Sequence, residues 1–119
     1  MNTYILERPR NSTPKFYSTE EISSEHKIVY ERYFMPGTDI DYFVLEYCKD
    51  DDIIFCWAEL VSGCGELGYS SLKEMERVYK TVAITTPYGS LFLIVHIERD
   101  QNWTPITLGE ALENRLRRL

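Results

Sequence analysis

The sequence predicts a single α+β domain, in which two or three helices pack on a mainly antiparallel sheet of about five strands. Three observations predict it. The length of 119 residues suits one ordinary core and not two. The 44% apolar and 27% charged content is that of a soluble globular chain, with enough apolar area to offset ordering entropy. Finally, stretches rich in β-branched and aromatic residues alternate with short helical patterns that carry capping signals.

Residues 1–15, with Pro9 and the run Asn11-Ser12-Thr13-Pro14, read as an irregular arm, leaving 16–119 as the core. Ser18-Thr19-Glu20-Glu21 has the form of a capping box and predicts a short helix through Ile22. Three strands of an antiparallel meander come next. Ile28 to Met35 ends at the turn signal Pro36-Gly37. Asp41 to Cys48 alternates, placing Tyr42, Val44 and Glu46 on one face and Phe43, Leu45 and Tyr47 on the other. Ile53 to Leu60, nearly all apolar, reads as a central strand after the turn Asp50-Asp51-Asp52.

The segment Gly65-Glu66-Leu67-Gly68-Tyr69-Ser70-Ser71-Leu72 reads as a strand exit feeding a helix, its glycines supplying positive φ, as at Gly68, or close backbone approach. Its glycines fit neither the dinucleotide fingerprint nor the mononucleotide loop. Ser71-Leu72-Lys73-Glu74 is a second capping box, with Leu72, Met75, Val78 and Tyr79 at helical spacing. Thr81 to Thr86 and Leu91 to Ile97 predict two more strands joined around Pro87-Tyr88-Gly89. Thr107-Leu108-Gly109-Glu110 opens a terminal helix with Leu108, Ala111, Leu112, Leu116 and Leu119 along one stripe.

The net charge of −6 is uneven. Arg8, Arg10 and Lys15 near the start and Arg115, Arg117 and Arg118 near the end flank residues 18–113, which carry 18 acidic and 7 basic side chains. So negative a body disfavours direct nucleic-acid binding and suits a partner protein with a basic surface. The longest uncharged apolar run, Leu91 to Val95, is too short to span a bilayer, and Met1 to Glu7 lacks a signal-peptide pattern. The expected location is cytoplasmic. Cys48, Cys56 and Cys64, eight apart and without a Cys-x-x-Cys pair, read as buried free thiols rather than as a metal site.

Candidate chemistry centres on carboxylates. Alternation puts His96, Glu98 and Asp100 on one strand face, a set that suits either a divalent metal or an acid/base pair. Glu46 and Glu59 stand inside otherwise apolar strands, and Glu66 lies in the Gly-rich segment. No cofactor or metal site is expected. Among nine tyrosines, Tyr30, Tyr42, Tyr47 and Tyr69, with Glu66 and Arg99, are the candidate binding residues, because such rings bury area while keeping a polar tip.

Phe16-Tyr17-Ser18-Thr19-Glu20, Phe34-x-Pro36, Tyr42 or Phe43 followed by Glu46, Glu66-Leu67-Gly68-Tyr69-x-Ser71-Leu72-x-Glu74, and Ile97-Glu98-Arg99-Asp100 with Trp103-x-Pro105 and Leu108 occur in an order that resembles domain of unknown function family 2958. The resemblance spans roughly residues 14–112. It implies a plasmid, conjugative region or phage as the genetic setting and implies no activity. Residues 80–96 are longer than the family's short link, and Ser70 replaces an aromatic. Two functions are therefore expected. One is a non-catalytic binding protein of a phage or mobile element, an acidic inhibitor of a host defence protein of the anti-CRISPR or antirestriction kind. The other is a small metal-dependent or acid/base hydrolase using Glu98 and Asp100, helped by His96, Glu46, Glu59 or Glu66.

Overall fold

The computed structural model describes residues 3–118; Leu119 of the expected terminal stripe lies outside them. The fold is α+β and mainly antiparallel. Its strands are β1 (Ile28–Val29), β2 (Glu31–Phe34), β3 (Asp41–Cys48), β4 (Ile53–Glu59), β5 (Glu66–Ser71), β6 (Tyr79–Thr86), β7 (Gly89–His96), β8 (Glu98–Arg99) and β9 (Ile106–Thr107). Two α-helices are present among the described residues, α1 (Leu72–Arg77) and α2 (Leu108–Arg117), with a 3₁₀ turn at Ser24–His26. None of these helices is long and apolar enough to cross a membrane.

The main sheet has the order β5-β4-β3-β2-β8, every pair antiparallel. Alternation along β3 and β4 divides its side chains between two cores. Tyr42, Val44, Ile54 and Cys56 join Leu6, Tyr33, Leu72, Met75 and Ile97 on one face, so α1 covers that side. Phe43 and Leu45 join Val29, Leu108 and Ala111 on the other, with Phe55, Trp57 and Trp103 packed against them, so α2 covers that side. The two helices therefore lie on opposite faces rather than together on one.

Two of the three predicted capping boxes are used. Ser71 Oγ accepts the Glu74 N–H and Thr107 Oγ1 accepts the Glu110 N–H. The third is not. Ser18 Oγ donates to the Lys15 carbonyl at 2.6 Å, and residues 18–22 form turns instead of a helix. The reason is tertiary: Thr19 is buried and bonded to Glu46 and Lys27.

Other expectations need correction. Ile28 to Met35 is two strands, because β1 turns away at Tyr30 to pair with β9. Residues 66–71 are not a strand exit but the edge strand β5, and positive φ falls at Gly63 instead of Gly68. The arm has no regular structure, yet it is strapped across the α1 face. Leu6 is buried, Arg8 bridges Asp52 and Glu76, Arg10 grips the buried Glu31, and Tyr33 donates to the Glu7 carbonyl. Of the thiols, only Cys56 is buried; Cys48 is half-buried and Cys64 exposed.

Strands β6 and β7 form a separate two-stranded hairpin, closed by the Thr86–Gly89 pair around Pro87 and Tyr88, with Gly89 at φ 119°. Val82 lies against Gly37 near the hairpin base. Beyond it most of the ribbon is exposed, Phe92 and Tyr88 included. The radius of gyration is 15.3 Å, against about 13.5 Å for a compact chain of this length.

Candidate protein-binding face

One irregularity in β3 builds the site. The register runs Val44 to Cys56 and then Glu46 to Phe55, so Leu45 is an extra, bulged residue. The bulge reverses the facing of the residues beyond it. Glu46 joins the Phe43 side and Tyr47 the Tyr42 side, the opposite of unbroken alternation. Glu46, Phe55 and Tyr69 thus form a row across β3, β4 and β5 on the α2 face.

Glu46 is 4% exposed, and its buried carboxylate needs donors. The chain supplies them from residues 17–19. The Tyr17 and Thr19 amides each donate at 3.0 Å, and the Thr19 hydroxyl donates as well. The Lys27 ammonium, also buried, donates to the carbonyl and hydroxyl oxygens of Thr19. One anion and one cation thereby share a single threonine.

This clamp holds Tyr17 at φ 67°, a left-handed conformation that is costly for an aromatic residue. In that conformation the Tyr17 ring is 65% exposed. Phe16 packs between it and Tyr69, with centroids 5.7 and 5.4 Å away, and Tyr69 also meets Phe55 at 5.2 Å. Tyr69 is 59% exposed on β5, a strand whose outer edge pairs with nothing among the described residues.

Carboxylates flank the rings. Glu20, Glu21 and Glu25 are exposed on the segment after Tyr17, and the Glu25 backbone packs against Gly109, next to the exposed Glu110. None of these four is in an ion pair among the described residues, whereas Arg8, Arg10, Arg32, Arg99, Arg115 and Arg117 all are. Arg8, Arg10, Arg32 and Arg115 are held in part-buried or buried pairs, and Glu20, Glu21, Glu25 and Glu110 make the unpaired charge of this segment negative. Exposed rings with polar tips beside carboxylates suit a surface of lysines and arginines.

No family model, curated protein or solved structure matches this chain.

The carboxylates singled out for catalysis do not converge. Glu66 lies on β5 and Glu98 on β8, the two outer edges of the five-stranded sheet, about 19 Å apart at normal strand spacing. His96 stacks flat on Tyr4, centroids 4.2 Å apart. Asp100 binds Arg32 at 3.1 Å and accepts the Asn102 amide. Glu59 and Asp41 are both held by Arg115, the former at 2.6 Å, and Arg32 takes the other oxygen of Asp41 at 2.7 Å. Among the described residues no three His, Cys, Asp or Glu side chains gather as a metal would require.

The candidate binding residues divide as well. Tyr69 and Glu66 are exposed on β5. Tyr42 is 5% exposed, and burial, with a smaller push from Cys56, raises its hydroxyl to about 12. The Tyr47 hydroxyl, raised to about 12 by burial and its bond to Asp52, is turned toward the strap. Tyr30 is half-buried where β1 and β2 part. Arg99 is spent on Glu7 and the Arg8 carbonyl, anchoring the strap. Sequence reasoning does not select Tyr17 and Phe16 as binding residues; the signals for them are their place in the Phe16-Tyr17-Ser18-Thr19-Glu20 motif and as adjacent aromatics just before Glu20 and Glu21. A cleft of about 600 Å³ beside Phe16 is lined by Arg8, Arg10, Lys15 and Lys49. The two arginines are committed to Asp52, Glu76 and Glu31.

Proposed function

We propose that this protein is a non-catalytic binding protein that docks its acidic, aromatic face on a basic surface of a partner protein. The observation that carries the reading is the clamp of Glu46 on Tyr17, which fixes an exposed aromatic ring at a strained backbone position. A fold maintains strain of this kind only where its surroundings over-determine it, and such positions cluster at functional surfaces. Prior fixing of the ring also reduces the ordering entropy lost on binding. The phage or mobile-element setting comes from the family resemblance alone. Within that setting the reading is an inhibitor that occupies a basic groove of a host defence protein, with its carboxylates standing where nucleic-acid phosphates would lie.

The test is affinity capture from host lysate with the wild-type chain and the Tyr17→Ala/Tyr69→Ala double variant. The reading expects a partner whose binding weakens about tenfold or more in the double variant, and weakens again as ionic strength rises from about 0.05 to about 0.5 M. Capture that ignores both the substitutions and the salt overturns it.

A further inference from the structure

The β6–β7 hairpin carries a second, independent surface. Residues 81–96 contain no Asp, Glu, Lys or Arg. Register pairs place Val82 with Leu93 and Ile84 with Leu91 on one face of the ribbon, and Ala83 with Phe92 and Thr81 with Ile94 on the other. Leu91, Phe92, Leu93 and Ile94 are 56%, 71%, 45% and 64% exposed, on the order of 500 Å² of apolar surface from one strand, divided between its two faces. A two-stranded hairpin is also marginal in water, and three or more strands are needed for an independently stable sheet.

We propose that β7 pairs antiparallel with β7 of a second copy of this chain, giving a continuous four-stranded ribbon β6-β7-β7-β6. Three arguments select that occupant. Self-pairing about a two-fold axis needs a strand that can meet itself without like charges. Gly89 to His96 has no charged residue, whereas β6 carries Lys80. A register centred on Leu93 sets Leu93 against Leu93, Phe92 against Ile94, Leu91 against Val95 and Ser90 against His96. Two such strands together expose on the order of 1,000 Å² of apolar surface, part of which edge-to-edge pairing covers. Lastly, each chain has a net charge of −6, so bodies in contact would repel. Antiparallel ribbons throw the bodies to opposite ends, separated by a strand length of about 26 Å against a Debye length of about 8 Å. A membrane suits the hairpin less, since the acidic body is repelled by anionic lipid and Thr81, Thr85 and Ser90 lie on one of its faces.

The test is the mass of the full chain in solution by light scattering and sedimentation at about 100 μM, well above a micromolar dissociation constant. The expected mass is twice the chain's 14.0 kDa. Leu93→Lys sets two cations together on the axis and should halve the mass, and Phe92→Glu on the opposite face should do the same. Ile84→Lys, on the β6 side of the ribbon, should leave it doubled. Circular dichroism and melting establish that each variant folds, and amide exchange of β7 in the wild type should slow as concentration rises. A monomer at every concentration overturns the proposal. So does a dimer that survives Leu93→Lys but is lost in Ile84→Lys, or a wild-type monomer that binds neutral phosphatidylcholine vesicles. Loss of the dimer with partner capture intact would sink this proposal and leave the function reading standing.

Discussion

Glu46 accepts the backbone N–H of Tyr17 at 3.0 Å across 29 positions of sequence. The bond exists because the bulge at Leu45 turns Glu46 toward α2 instead of toward the strap. In Glu46→Gln the amide keeps one acceptor oxygen and faces the remaining donors with an NH2 group. A loss of about 1–3 kcal/mol is expected, the cost of leaving a buried donor unsatisfied. Urea denaturation measures it, and faster exchange of the Tyr17 and Thr19 amides locates it.

The glycines of the segment before α1 are unequal. A Cβ on Gly65 would fall 1.9 Å from a Trp57 ring carbon, whereas one on Gly68 meets nothing within 4 Å. Gly65→Ala should therefore lower the melting temperature by several degrees. Gly68→Ala should leave it within a degree or two. Equal effects would contradict the placement of Trp57 over Gly65.

Arg115, on the last turn of α2, neutralises Asp41 and Glu59, all three nearly buried. Arg115→Ala leaves Glu59 without an ion-pair partner and Asp41 with Arg32 alone. Breaking a buried pair from one side costs about 3–5 kcal/mol, so the variant should unfold at much lower urea concentration. A change under about 1 kcal/mol would mean that water already serves these carboxylates.

Alkaline pH should unfold the protein over a defined window. Burial, first among the causes, raises the Tyr42 and Tyr47 hydroxyls from 10.0 to about 12, and that of Tyr33 further still. Because the folded value lies above the unfolded one, this stability is complete below about pH 10 and is lost as pH climbs toward 12. The ultraviolet tyrosinate band of these three rings should appear together with unfolding. Their ionisation in a chain that is still folded would contradict the packing described.

How much the sequence discloses depends on whether a feature is local. The caps at Ser71 and Thr107 are contained within four residues, and both are readable. Ser18 to Glu21 has the same pattern, but long-range bonds from Glu46 and Lys27 to Thr19 override it. The meander β2-β3-β4 is plain from its alternation and turns. The bulge at Leu45 is not, since no glycine or other unusual residue marks it, and with it goes the facing of Glu46 and Tyr47. The strap gives no periodic signal because ion pairs between Arg8 and Asp52, and between Arg10 and Glu31, hold it down. Strand β5 is hidden by Gly68 within it and by Gly63 and Gly65 just before it. Tyr17 escapes notice because its exposure comes from a backbone angle that no sequence pattern announces.

The most direct test of the acidic, aromatic face is photo-cross-linking in cells that carry the gene, with the photoreactive residue placed at Tyr17 or at Gln101. Gln101 is exposed and adjoins β8, at the opposite edge of the sheet from Tyr69. A partner protein cross-linked from position 17 and not from position 101, and lost when Glu46→Gln is added, is the predicted result. Cross-linking from position 101 alone, or equally from both, would contradict the assignment of the binding face.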